Sequence, residues 1–254
     1  MSTIDRSIGR YPKEPDILSR EFLDILDDFL RTGSIEVDGE FGTIPRTRFT
    51  LRPQQSNPPI FLASGTSTPP VMRRIVERGY CPIVSMVGNS TATMIEKYRA
   101  IETVYRAGGG DADSMPFALN QYMYVTRDRA DARRAAEAVR YVLRVHAAMR
   151  RPQADLDGSV FTEVPFEGEP SVDELIERLA IGDPGKVAEH LDHQLDTMRP
   201  SQLSFIMGLP GMSSMDTLRS MHTFGDEVLP KLERLDRASG AVTTAELAVE
   251  ELAR

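Results

Sequence analysis

Four short apolar runs, each followed by a stretch with helical periodicity, constrain the fold of this chain more than any other feature. The runs begin near residues 59, 81, 117 and 201. Continuous apolar runs of this length predict strands that are buried on both faces, as in a parallel sheet. Alternation with helices predicts right-handed βαβ units. The chain is therefore expected to form an α/β fold, either a (β/α) barrel or an open doubly wound sheet, although a closed barrel needs eight strands.

Other elements surround these units. A helix is predicted from Pro15 to Gly33, with Asp16 as its cap, and a β-excursion is predicted near residues 35–51 because short alternating pieces are separated by glycines. A further helix is predicted over 171–182, and Asp183 caps the next one. Residues 151–171 are irregular, as expected either for a loop over a site or for a surface insertion.

Composition and charge exclude several classes of protein. A formal net charge of −8 and mixed charges argue against a nucleic-acid-binding protein. A single cysteine, Cys81, excludes an intramolecular disulfide framework and a cysteine-rich zinc site. No apolar run is long enough to cross a membrane, and the first 15 residues do not resemble a secretory signal. The sequence predicts a cytoplasmic protein of one domain, residues 1–254, with flexible tails at 1–14 and 238–254.

Few side chains suggest chemistry on their own. His190 and His193 lie three residues apart on a predicted helix, but a zinc site needs further ligands, so an exposed polar face is the better interpretation and no metal site is predicted. Cys81 begins a predicted buried strand and is expected to be a small core residue. The arginine-rich stretch over 127–150 contains interleaved carboxylates, which favours a solvated helix face. The glycines of the turn 207–211 admit a close ligand or simply make the turn.

Five segments in order resemble the luciferase-like monooxygenase family, the flavin- or deazaflavin-dependent barrel enzymes. SREFLDILDDFL is similar to the helix before the family's fifth barrel strand, and VDGEFGTIPRTRFTLRPQQSNPPIFLASGTS resembles the passage that leads into that strand. ERGYCPIVSM is similar to the sixth strand, and IGDPGKVAEHL to the entry of the helix before the eighth. SMHTFGDEVLPKLERL resembles the closing helix. The match runs from about Arg10 to Leu235.

The resemblance implies a partial (β/α) barrel of the TIM type with about four parallel strands. The family's first four strands, which carry the catalytic histidine region, have no counterpart before Pro15, so the chain resembles the C-terminal half of a member. No catalytic residue is carried over, and the catalytic residues stay unknown.

Two segments are candidates for binding the flavin. The loop after the first apolar run, made of Ser64, Gly65, Thr66, Ser67 and Thr68, opens a helix at the end of a predicted parallel strand. Such a helix start suits a phosphate dianion, but Ser and Thr also serve as ordinary helix caps. The resemblance favours the phosphate. Arg10 resembles a family arginine that reaches the flavin phosphate, and Arg6 is the alternative residue for this role. The other interpretation is that Arg10 is a solvated arginine without a role.

The resemblance implies a flavin-dependent oxidoreductase or monooxygenase, or a subunit of one, which uses reduced flavin and oxygen on a small organic substrate. FMN is the expected cofactor, with a deazaflavin as the alternative. A half-barrel leaves open sheet edges, so a homodimer or a partner chain that completes the barrel is expected. Two other interpretations stay open: a flavin-binding protein without turnover, and an inactive fragment of a longer gene product.

Overall fold

The computed structural model describes residues 15–39, 42–55, 58–63, 69–85, 89–149, 156–158 and 160–232. The tails predicted at 1–14 and 238–254 lie outside these ranges. Seven α-helices and nine strands occur within the described residues, in this order: α1 (Pro15–Thr32), β1 (Ser34–Asp38), β2 (Thr43–Arg48), β3 (Phe61–Ala63), α2 (Pro69–Arg78), β4 (Cys81–Ser85), α3 (Thr91–Ala107), β5 (Ala118–Val125), α4 (Arg129–Met149), β6 (Leu156–Asp157), β7 (Val160–Phe161), α5 (Val172–Arg178), β8 (Ala180–Gly182), α6 (Pro184–Met198), β9 (Gln202–Ile206) and α7 (Ser214–Thr223). A π-helical turn over Phe224–Val228 continues α7.

The chain divides into two compact units, and the expectation of a single domain stays a prediction. The first unit consists of residues 1–60 and 148–162, and the second consists of residues 61–147 and 163–254. In the first unit, β1 and β2 form the antiparallel hairpin that was predicted as a β-excursion. The hairpin is joined to α1 by a ring contact of 4.9 Å between Phe29 and Phe49. Gly33 ends α1 with a φ of +65°, a left-handed conformation that favours glycine.

The second unit is built on a five-stranded parallel sheet. Its strand order is β3–β4–β5–β9, and β8 pairs with the carboxyl end of β5. In register, Ser85 of β4 lies beside Asn120 of β5, and Asn120 lies beside Ser204 of β9. The central strand β5 therefore has β4 and β9 as neighbours over its first half and β8 over its last three residues. This topology confirms the predicted α/β class with parallel strands.

The side chains of β5 alternate between two faces, because successive residues of a strand point to opposite sides. On one side, here called the α6 face, Met123 and Val125 pack against Val187 and Leu191 of α6. On the other side, here called the Asn120 face, Tyr122 and Tyr124 pack against α4 and α5. Both faces of β5 are covered by apolar side chains here, so the carboxyl half of the strand lies between two hydrophobic cores.

Four predictions about local structure are changed by these elements. The helix predicted over 171–182 ends at Arg178, because Ala180–Gly182 leave it to pair with β5. Asp16 lies in the first turn of α1, not at its cap, because the helix begins at Pro15, a residue that fits the first helical position.

The strand near residue 59 is not buried on both faces. Phe61 is 38% exposed and Ala63 is exposed, because β3 has only one neighbouring strand among the described residues. The strand predicted near residue 201 is likewise not fully buried, since every residue of β9 is half-buried or exposed. The closing segment is an α-helix that runs into a π-helical turn.

Helix starts follow the predicted chemistry. Asp183 accepts hydrogen bonds from the backbone N–H groups of Gly185 and Lys186, with Pro184 in the first turn, as the sequence predicts. Ser90 caps α3 in the same way through the N–H of Thr93. Within the described part of the chain, no helix is both long enough and apolar enough to cross a lipid bilayer.

Candidate active-site face

The predicted phosphate loop cannot be described directly. Ser64, Gly65, Thr66, Ser67, Thr68 and Arg10 all lie outside the described residues. The elements on either side of the loop are those predicted, because β3 ends at Ala63 and α2 begins at Pro69. In parallel α/β sheets, ligands bind beyond the carboxyl ends of the strands. Further ligand-binding groups are therefore expected on the sheet surface next to the carboxyl end of β3.

Three polar side chains form a row across the Asn120 face, here called the polar row. Ser85, Asn120 and Ser204 occupy one register position on β4, β5 and β9, and residues in register point to the same face. All three are half-buried. Among the residues that the structure describes, none of the three side chains takes part in a hydrogen bond. Buried side-chain polar atoms normally have partners, and no polar atom of the row is buried without one, so water reaches these groups. The row therefore presents hydrogen-bonding capacity that the described residues do not use.

Apolar side chains lie on both sides of the polar row. Ile83 precedes it on β4 and Ile206 follows it on β9, and both are half-buried. Beyond the row, Tyr122 and Tyr124 are buried by α4 and α5, and this burial raises the pKa of each phenol. The row is thus a neutral polar strip on an apolar surface that α4 and α5 cover only at one end.

The opposite side of the same strand is chemically different. Gln121, adjacent to Asn120 but on the α6 face, is 1% exposed. Its Nε2 donates to Oε1 of Gln194 at 2.8 Å, and Nε2 of Gln194 donates back to Oε1 of Gln121 at 3.2 Å. Gln194 also lies 3.0 Å from Nε2 of His190. The carboxamide on the α6 face is therefore satisfied within the protein, whereas the carboxamide of Asn120 forms no hydrogen bond among the described residues.

The two histidines of α6 differ, which corrects the expectation that both are exposed. His193 is exposed, but His190 is held against Gln194, and burial lowers the pKa of His190 to about 4. Its ring is neutral at physiological pH. No group of three or more His, Cys, Asp or Glu side chains in the described ranges is arranged to hold a metal ion.

Cys81 and the turn 207–211 behave as structural elements. Cys81 is buried, and burial raises the pKa of its thiol to about 11, which confirms a core residue and not a nucleophile. In the turn, Leu209 is buried with Tyr122 and Tyr124, while Gly211 has a φ of +76°. The turn thus joins β9 to α7 and adds an apolar side chain to the core under α4.

The arginines of α4 form ion pairs, as predicted for a solvated face. Arg133 pairs with Asp173 at the exposed surface. Arg144 makes a two-pronged contact with the carboxylate of Glu169, at 2.7 Å to 3.0 Å, which lowers the pKa of Glu169. Glu169 lies in the irregular segment before α5, so this contact holds the end of that segment against α4.

The sequence reasoning missed the polar row. Each of its residues is a polar interruption in an otherwise apolar strand, which is the signal that could have revealed it. None of the residues in the five strands of this sheet is charged or a histidine. The described strands therefore carry side chains that can form hydrogen bonds, but no carboxylate, imidazole or ammonium group for proton transfer.

Comparisons with known proteins agree with this fold. The profile of luciferase-like monooxygenases matches residues 2–199. An uncharacterized protein of Sinorhizobium fredii, y4vJ, is 26% identical over 232 residues, covering 91% of this chain and 65% of that protein. The chain thus spans less than two thirds of the length of this relative.

Solved structures resemble the chain at low sequence identity. Monooxygenase RslO1 from Streptomyces bottropensis superposes with a TM-score of 0.62 at 16% identity, over 83% of this chain and 60% of that one. The coenzyme F420-dependent tetrahydromethanopterin reductase from Methanopyrus kandleri gives 0.59 at 17%, over 90% and 67%. The oxygenating constituent of 3,6-diketocamphane monooxygenase from Pseudomonas putida, in complex with FMN, gives 0.53 at 15%, over 88% and 69%. These likenesses support the partial TIM-type barrel. From the profile match and the fold, the chain belongs to the luciferase-like monooxygenase family.

Proposed function

We propose that the chain is a flavin-binding member of this family, acting as a flavin-dependent oxidoreductase or monooxygenase, or as a subunit of one. The observation that carries the proposal is the family match over residues 2–199 together with a parallel sheet whose carboxyl edge leads into the loop 64–68. FMN is the proposed cofactor and a deazaflavin is the alternative, since relatives of both kinds share the fold. A small organic molecule is the proposed substrate.

The phosphate end of the flavin is assigned to the loop Ser64–Thr68, with Arg10 as a second contact. The loop follows β3 and precedes α2, a helix of 10 residues. The N-terminus of such a helix offers free backbone N–H groups and a positive dipole end to an anion. Hydroxyl groups from Ser and Thr add donors to the same anion. The charge of Arg10 would complete the neutralisation of a dianion.

The described sheet fits the rest of such a cofactor. Its Asn120 face offers apolar surface at Ile83 for a flat ring, together with polar groups that make no hydrogen bond among the described residues. No charged strand residue opposes a neutral ring system. When bound, a reduced flavin supplies the electrons for the reaction. The contribution of this chain is to bind and orient that cofactor.

A second candidate is a flavin-binding protein without turnover. It is favoured by the absence of any charged residue or histidine from the described strands of the sheet. General acid–base catalysis needs such a group within hydrogen-bonding reach of the reacting atoms. A catalytic member would have to receive this group from loops or from a partner.

A partner chain is proposed because the described sheet has open edges. β3 and β9 are the outer strands of the described sheet, and unpaired strand edges favour association with another chain. A second copy or a different chain could supply further strands at these edges. A species larger than a monomer in size-exclusion chromatography is the expected result.

Titration of the purified chain with FMN tests the proposal. Saturable binding that is weakened at least about 10-fold by Thr66→Ala and Ser67→Ala supports a phosphate site, because hydrogen bonds to charged groups are the stronger ones. Ser90→Ala is the matched control, since Ser90 caps the neighbouring helix α3. If Thr66→Ala and Ser67→Ala lower the melting temperature as Ser90→Ala does and leave FMN affinity unchanged, the loop is only a helix cap. A folded chain without affinity for FMN or a deazaflavin contradicts the proposed function.

A further inference from the structure

We infer that Ser85, Asn120 and Ser204 bind the imide edge of the flavin ring, the edge with alternating carbonyl and N–H groups. This inference rests on the proposed function, because it assigns a second part of the same ligand. It concerns only described residues of the second unit. The three residues share one register position on three neighbouring strands.

The first step is that the polar row has no hydrogen-bond partner among the described residues. Ser85, Asn120 and Ser204 make no side-chain hydrogen bond there, although each is half-buried in a sheet. In contrast, Gln121 on the same strand forms two hydrogen bonds with Gln194. The polar atoms of the row are open to water, since none of them is buried without a partner. A ligand with complementary groups can therefore replace this water and take over its hydrogen bonds.

The second step is the chemical match. A carboxamide offers both an N–H donor and a carbonyl acceptor, and each serine hydroxyl can act in either role. A cyclic imide presents acceptor, donor and acceptor along one edge, which such a row can satisfy completely. The row has neither a cationic side chain nor a helix N-terminus, so it lacks the two features that are assigned above to the phosphate site. FMN and deazaflavins share this ring edge, and the assignment is the same for both.

The third step is position along the sheet. Neighbouring strands lie about 4.8 Å apart, which places β5 about 10 Å and β9 about 14 Å from β3 across the sheet. The proposed phosphate loop starts at the end of β3. The ribityl chain that separates phosphate from ring in a flavin covers a distance of this order. The flanking Ile83 is a half-buried apolar contact for the ring itself, whereas Ile206 packs against the core formed with α4 and α5.

Equilibrium dialysis of the full chain against three probes tests the inference. The probes are FMN, riboflavin, which has the ring but no phosphate, and 5-deazariboflavin, which keeps the imide edge. Asn120→Leu is expected to weaken all three by about 3- to 10-fold, since one hydrogen bond of ordinary strength is lost. Ser85→Ala and Ser204→Ala are expected to act in the same direction. Gln121→Leu, on the α6 face of the same strand, is the control that leaves probe affinity unchanged.

The outcomes separate the two proposals. Variants of the loop, such as Thr66→Ala, weaken FMN alone if the loop binds phosphate, whereas variants of the polar row weaken riboflavin as well. Suppose that the wild-type chain binds FMN and that all three row variants bind riboflavin and FMN as tightly as wild type does. This result overturns the inference and leaves the proposed function standing. Failure of the wild-type chain to bind any probe overturns both. If Asn120→Leu does not fold, as judged by circular dichroism, Ser85→Ala and Ser204→Ala decide the result.

Discussion

The buried carboxamide pair of Gln121 and Gln194 gives the sharpest test of the packing between β5 and α6. Both side chains are almost inaccessible, at 1% and 0% exposure, and they exchange two hydrogen bonds. Gln121→Leu keeps the volume of the side chain but removes both bonds and leaves the buried amide of Gln194 with fewer partners. The expected loss in the free energy of unfolding is about 2 kcal/mol, within the range for a buried polar group that loses its partner.

The reverse change, Gln194→Leu, is expected to cost more, about 3 kcal/mol, because it leaves Gln121 without a partner and also removes the neighbour of His190. The double variant replaces both carboxamides with apolar groups, so neither position keeps a buried amide that has lost its partner. We expect its loss to fall short of the sum of the single losses by at least about 1 kcal/mol. Urea unfolding followed by far-ultraviolet circular dichroism measures all three values.

Gln202→Leu is the matched control, since Gln202 lies exposed at the start of β9. Its effect is expected to stay within about 0.5 kcal/mol. Additive losses in the double variant would refute the reasoning, because they would mean that the two amides contribute independently. A single variant as stable as wild type would refute it as well.

Three further predictions concern titratable groups. The pKa of His190 is lowered to about 4 in the folded protein, so the unfolded chain binds more protons between pH 6.5 and 4 and stability falls as the pH falls through this window; His190→Gln should flatten this slope in denaturation curves. Glu169→Gln should cost about 1 kcal/mol in urea unfolding at pH 7 and progressively less as the pH falls below 4.5, because the Arg144 contact lowers the pKa of Glu169 and its stabilisation is lost on protonation. Cys81 should react with a thiol reagent at pH 8 only as fast as the protein opens, and rapid labelling of the native chain would contradict its burial.

The fold was largely predictable, because it follows from local patterns. The four apolar runs became β3, β4, β5 and β9, and helices formed between them, with Asp183 as the predicted cap of α6. β8 was missed because Ala180–Gly182 are only three apolar residues that continue the periodicity of α5. Their strand conformation is set by pairing with the end of β5, a contact that no local pattern encodes.

The polar interruptions are visible in the sequence, but their assembly into one row was not predictable, for a related reason. In a strand that is buried on both faces, hydrophobic residues do not alternate with polar ones, so the sequence does not say which of Asn120 and Gln121 faces which side. In the structure Gln121 faces Gln194, which is 73 residues away in the chain. The loop 64–68 was identified by its place between a predicted strand and a helix, the family resemblance favoured phosphate binding over a helix cap, and its role stays a prediction.

The pairing of β5 also has a consequence for the synthesis of the protein. Its hydrogen-bond partners come late in the sequence. The backbone N–H of Phe117, just before β5, donates to Ser201, 84 residues further along, and the N–H of Val125 donates to Ser220, 95 residues further along. While the ribosome adds those residues, β5 has only β4 beside it, and an apolar strand with one unpaired edge is a template for aggregation. Contacts this distant in sequence also slow folding. Until the chain has been synthesised through Ser220, β5 therefore lacks the partners that β9 and α7 provide in the folded protein.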